Sequence, residues 1–160
     1  MKKLMWVLVL LCLSPLPVST AMAGRTDRLC YDFDARSARV KERIAWNEKM
    51  LNDDMAGLQQ DKARTQRNPM LALADEKLSL AIRLCNDAIT QVQILRDRVP
   101  REIDCGQKNR AVRREMDAEV MALNDVEAKI SNLNVIVNQY RSLRSEAAAI
   151  IQNVEGGSRY

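Results

Sequence analysis

Histidine is absent from the 160-residue chain. That removes the commonest metal ligand and the commonest general base together. Aromatic residues are scarce as well, at 4%, too few to fill a thick globular core. A bundle or coiled coil needs no such filling, because Leu, Ile, Val, Ala and Met occupy its seam. Glycine and proline are few, with 5 and 4 copies, so turns are limited in number. No segment alternates apolar and polar residues over strand length. There is no Gly-rich phosphate loop, no Gly-x-Ser-x-Gly, no Cys-x-x-Cys and no Asn-x-Ser/Thr sequon. Asp and Glu fall in patterns that suit solvated helix faces. Met50, Met55, Met70, Met116 and Met121 suit seam packing better than a soft-metal site. The composition points away from an enzyme, a metal, a cofactor or a small-molecule substrate.

The first 23 residues read as an export signal. Lys2 and Lys3 form a short positive start, and an apolar run follows from Leu4 to Leu13. Pro15 and Pro17 interrupt it, and Ala21-Met22-Ala23 supplies a small-x-small cleavage site before Gly24. The run is about half the roughly 20 residues that a membrane-spanning helix requires. Leu10 and Leu11 stand before Cys12 where a lipidation site wants a small residue, so Cys12 is expected to leave with the peptide. The expected address is the periplasm or beyond. Cleavage also alters the charge: the net +4 of 25 basic and 21 acidic residues falls to +2 once Lys2 and Lys3 are gone.

Three apolar stripes at helical spacing occupy the rest. The first runs over about 31–67, where Val40, Ile44, Leu51, Met55 and Leu58 share a face that Asn47 and Asp54 interrupt. Trp46 and Met50 flank it, and Asp32 or Asp34 is the expected N-cap. Asn68-Pro69 signals a restart, since Asn caps well and Pro suits the first helical position. The second stripe, 69–99, keeps alternating three- and four-residue steps: Leu71, Ala74, Leu78, Ala81, Cys85, Ala88, Val92, Leu95, Val99. Ile82, Leu84 and Ile89 widen it, so this helix should touch more than one neighbour. Pro100 ends it. The third stripe, 110–154, carries Met116, Leu123, Val126, Ile130, Leu133, Val137, Tyr140, Ala147, Ile151 and Val154, with Glu119 and Arg144 as exceptions. Gly156-Gly157 should close it, leaving 156–160 as a tail. The expected fold is all-α: three long antiparallel helices, up-down-up, in an elongated coiled-coil-like bundle over 24–155.

Cysteine positions add a constraint. Chain reversal near Pro69 places Cys30, just before the first helix, and Cys105, just after the second, at the same end of the hairpin. Cys85 falls about halfway along, beyond the roughly 4.4–6.8 Å between Cα atoms that a bridge to Cys30 demands. A Cys30–Cys105 disulfide is therefore expected, closing a loop worth roughly 4 kcal/mol in the chain-entropy model; the competing pair, Cys85–Cys105, would need the loop to double back. Cys85 is left as a free, seam-buried thiol.

Positive charge gathers at that same end. Residues 24–41 and 96–115 together carry +5, more than the whole chain after cleavage. Arg25, Arg28, Arg98, Arg101, Arg110, Arg113 and Arg114 form a candidate patch for an acidic partner or anionic lipid head groups. Nucleic acid is not expected, because no aromatics interleave these arginines. The third helix is longer than the second, so Tyr140, Leu143, Ala147, Ile151 and Val154 are the candidate seam for a partner or for self-association. The expected function is a structural or adaptor component of a cell-envelope or secretion-type assembly. A periplasmic holdase chaperone and a disulfide-clamped inhibitor or immunity-type module are the alternatives.

Overall fold

A computed structural model of the chain describes residues 19–100 and 110–157, with side chains over 30–100 and 114–156. Among the described residues there are three α-helices and one short 3-10 turn, with no strand. They are α1 (Ser19–Thr65), α2 (Ala72–Arg98) and α3 (Arg110–Gly157), with the 3-10 turn Pro69–Leu71 leading into α2.

Helix α1 starts well before residue 31, so Asp32 and Asp34 are not caps; both lie inside the helix and are exposed. No proline breaks the chain between Ser19 and Asp32, and the heptad extends backward through Ser37, Phe33 and Cys30, all buried. The whole series is 30, 33, 37, 40, 44, 47, 51, 54, 58, 61, 65, an unbroken alternation of three and four in which polar residues take several places. The helix ends at Thr65, two residues before the expected boundary, in a turn closed by the Asn68 amide donating to the Thr65 carbonyl at 3.1 Å.

Asn68 then acts as expected. Its backbone is extended (φ −125°, ψ 111°) and its side chain accepts from the Met70 amide at 3.0 Å. With Pro next, the first turn is a single tight 3-10 turn before α2 proper. At the far end Val99 is extended (ψ 126°), as a residue before proline must be. Helix α3 runs through Gly156 to Gly157 rather than stopping before them; no described glycine adopts the left-handed conformation that would close a helix there.

Pairs across the helices fix their directions. Lys62 with Asp75, Leu51 with Cys85 and Glu48 with Arg96 run in opposite senses along α1 and α2. Lys77 with Glu146, and Ile94 beside Lys129, do the same for α2 and α3. Arg36 with Glu127 and Arg64 with Glu155 run in the same sense along α1 and α3. The path is up-down-up.

All three stripes turn inward and form one continuous core. Helix α2 is the central element and packs closely on both neighbours. Its seam explains the closeness: Ala74, Ala81, Cys85 and Ala88 are small and fully buried, with Leu78 and Val92 filling the spaces between. Helices α1 and α3 stand farther apart and meet mostly through long polar side chains.

The excess length of α3 falls at its N-terminal end. Arg98, the last residue of α2, lies beside Lys129 and Asn132, and Pro100 lies beside Lys41. So α3 upstream of Lys129 and α1 upstream of Lys41 run past the end of α2. With 48 residues in α3, the bundle is about 72 Å long.

Candidate functional site

Polar side chains of α1 and α3, on and beside their heptad seams, meet each other as a ladder. At its upper rung Arg36 donates from Nε to Glu127 Oε1 at 3.0 Å and from Nη2 to Oε2 at 2.5 Å. Asn124 accepts from the same Nη2. The Arg36 hydrogen bond holds the Glu127 carboxylate below its ordinary pKa, outweighing burial. Both side chains are about one-third exposed, so this rung contributes at most about 1 kcal/mol.

The middle rung is more enclosed. Tyr140 is fully buried, and its hydroxyl donates to Asp54 Oδ2 at 2.5 Å. Arg141 donates to the same oxygen from Nη2 at 2.8 Å and from Nε at 3.1 Å. Burial alone would raise the Asp54 pKa; the hydrogen bonds from Tyr140 and Arg141, with the Arg141 and Arg144 charges, overcome it and leave Asp54 below the ordinary value. Asp54 is therefore an ionised acceptor, not a proton donor, at neutral pH. Burial and the Asp54 carboxylate push the Tyr140 hydroxyl up.

The next rung uses Arg144, whose Nε meets Asp61 Oδ2 at 2.8 Å. Its guanidinium crosses α1 above Gly57, where an added Cβ would stand 2.7 Å from Nη2. Arg64 and Glu155 make the last rung at 3.5 Å. A separate cluster ties α1 to α2 beside the turn: Lys62 Nζ lies 3.2 Å from both Asp75 oxygens and donates to the Ser79 hydroxyl, while the Thr65 hydroxyl lies 3.0 Å from Asp75. Asn47 donates to the Arg43 carbonyl at 2.8 Å. Among the described residues no buried side-chain polar atom lacks a hydrogen-bond partner. These groups hold register; each charge is engaged with an opposite charge or a hydroxyl rather than aimed at a shared space.

Cys85 is a free thiol, fully buried, donating to the Leu51 carbonyl at 3.5 Å. Burial, with the nearby Asp54 charge, pushes its pKa up to about 11, so it stays protonated and unreactive near neutral pH. Cys30 is buried, 4% exposed, on α1. Cys105 lies outside the described residues.

The basic end is described in part. Arg98 and Arg114 are exposed. Arg25 and Arg28 belong to α1 and Arg110 and Arg113 to the first turn of α3, but their side chains, and the whole of Arg101, lie outside the described residues. Residues 1–18 of the expected export signal lie outside them too, while Ser19–Ala23 form the start of α1. Among the described residues no helix is long and apolar enough to cross a membrane.

The seam expected over 140–154 is otherwise employed. Tyr140, Ala147 and Ile151 are buried in the chain's own core, and Leu143 and Val154 are half-buried at its edge. The expectation rested on an overhang at this end of α3, and the overhang is at the other end.

Apolar surface is exposed elsewhere. Leu73 (57%), Leu80 (41%) and Ile94 (47%) stand on the outer side of α2. Beside them Leu84 of α2 and Ile136, Leu143 and Ile150 of α3 are half-buried against the core. Trp46 is 64% exposed and borders an open groove between α1 and α3 of about 290 Å³, lined also by Glu42, Arg43, Asn47, Ile130 and Asn134. The outer row on α2 escapes a sequence reading because its members are spaced like the seam but sit one-quarter turn away; only the distinction between two interleaved heptads would find it. No protein-family model matches the chain, and no curated protein or solved structure is detectably similar to it.

Proposed function

We propose that this chain is an exported, non-enzymatic helical interaction protein, a structural or adaptor subunit of a cell-envelope assembly. The observation that carries the reading is its shape: a narrow bundle about 72 Å long offers lateral helix faces for contact along its length. The ladder of polar rungs fits this role, since it fixes the helices against sliding and makes the rod a defined spacer.

Export rests on the signal pattern of residues 1–23, with cleavage after Ala23 and a periplasmic address. A Cys30–Cys105 disulfide would then clamp the end where α1 and α3 run past α2. In support, Cys30 is disulfide-bonded, and Cys85, the other cysteine among the described residues, is a free thiol. The arginine-rich end is the proposed contact for an acidic partner or anionic head groups.

The test is to express the full-length chain in a Gram-negative host, fractionate and crosslink intact cells, and identify by mass spectrometry the mature N-terminus and what co-purifies. A chain beginning at Gly24, with one envelope partner in near-stoichiometric yield, is expected. An unprocessed cytoplasmic chain would overturn the export reading. A broad set of unfolded outer-membrane clients would replace the adaptor by a holdase chaperone.

A further inference from the structure

We propose that the outer face of α2 is where two copies of this chain meet, antiparallel, about a two-fold axis level with residue 82. The inference deepens the reading of the molecule as an assembly subunit, but it concerns the folded chain alone and holds wherever that chain resides.

The argument starts from the second heptad on α2 and the turn before it. Met70, Leu73, Lys77, Leu80, Leu84, Asp87, Gln91 and Ile94 follow one another at steps of three and four, the spacing of a helix-packing seam. Yet the row faces outward: Met70 is 75% exposed, Leu73 57%, Leu80 41% and Ile94 47%. Exposed singly such residues need no explanation; four on one stripe, with the half-buried Leu84 between them, mark an interaction face.

The order of residues along the row selects the occupant. Leu80 and Leu84, Lys77 and Asp87, and Met70 and Ile94 are each centred on position 82. Turning a second copy end over end about that point sets leucine against leucine, Met70 against the other copy's Ile94, and each Lys77 against an Asp87. Leu73 against Gln91 is the one unlike pair. A closed dimer is built by such a two-fold operation, in which residue i meets j and j meets i. A parallel pairing would set Lys77 against Lys77, which is unfavourable. Lys77 already neutralises Glu146 at 2.6 Å, and an opposing Asp87 would extend that pair into a three-membered network.

The dimensions suffice. From Met70 to Ile94 the row is about 36 Å long, and with the adjoining edge of α3 about 20 Å wide. That is roughly 700 Å² a side, close to the ~800 Å² per partner of standard interfaces.

Sedimentation velocity of the purified full-length, processed chain tests this. A monomer–dimer equilibrium is expected below about 100 μM. Leu80→Glu should weaken it at least about tenfold with helicity unchanged. Asp87→Lys should weaken it too, and Lys77→Asp combined with Asp87→Lys should recover it. Arg83→Cys, exposed beside the row and one residue from the axis, should form an interchain disulfide on oxidation; Gln93→Cys, exposed but off the row, should not. A monomer throughout, a dimer indifferent to Leu80→Glu, or a charge exchange that fails to recover association would overturn the inference. A monomer that keeps an envelope partner released by Leu80→Glu would assign the face to that partner, overturning the second copy while the adaptor reading stands.

Discussion

Arg144 reaches Asp61 by passing over the one position on that turn of α1 that lacks a side chain. Gly57 in mid-helix should cost about 1 kcal/mol relative to alanine. An alanine methyl there would stand 2.7 Å from the guanidinium and displace it from Asp61, a pair about one-third exposed and worth at most about 1 kcal/mol. The two effects nearly cancel, so Gly57→Ala alone should shift stability little. In the Arg144→Ala background the same change should stabilise by about 1 kcal/mol, measured by urea unfolding of all four chains. The charged rungs carry a second prediction. Asp54 and Glu127 are both held below their ordinary values. Such groups give stability that is present above the unfolded carboxylate values of about 4 and lost as pH falls through the folded ones. With no histidine in the chain, the thermal midpoint should be flat from about pH 5 to pH 8 and fall below about pH 4. Asp54→Asn should lower the midpoint at neutral pH and converge on the parent chain in acid. These residues also show where sequence reading stopped. Asn47, Asp54 and Arg144 look like breaks in an apolar stripe, but they stand on heptad positions; Asp54 and Arg144 meet each other's helices, while Asn47 bonds back to the Arg43 carbonyl. Their type hides what their spacing declares, because a polar side chain at a seam position is legible only once its partner on another helix is known.

Among the elements, α2 was the most legible, since its seam is apolar or small at every step and its ends carry Asn68-Pro69 and Pro100. Its start is a single 3-10 turn held by the Asn68 side chain. Asn68→Ala should therefore cost about 1 kcal/mol, lowering the thermal midpoint without changing the helical signal of the folded state. The start of α1 is harder to read, because Asp32 and Asp34 are cap-type residues that here lie inside the helix. The buried polar Ser37 also interrupts the apolar series that Phe33 and Cys30 continue upstream of Val40. Gly156 and Gly157 permit a helix to end without compelling it, and neither takes the left-handed conformation that often ends one, so α3 runs on to Gly157.

For the whole molecule the three helices stand or fall together, because α2 lends its two sides to both others. Removing residues 140–160 would take away Tyr140, Ala147 and Ile151 from the core and the Arg141, Arg144 and Glu155 rungs with them. If residues 140–154 served only as a partner seam, association alone would be lost; the packing predicts instead that cooperative unfolding disappears and helicity over 31–139 falls, which circular dichroism on heating will decide. Retained cooperative melting would contradict the packing described. The odd number of helices among the described residues has a separate consequence. An even count would return the chain to its starting level, whereas up-down-up leaves Gly24, the proposed mature start, and Gly157 at opposite extremities, about 63 Å apart by helix length. Whatever is attached at one extremity is thus held away from whatever is attached at the other, and the chain can act as a strut whose reach is set by its helix lengths.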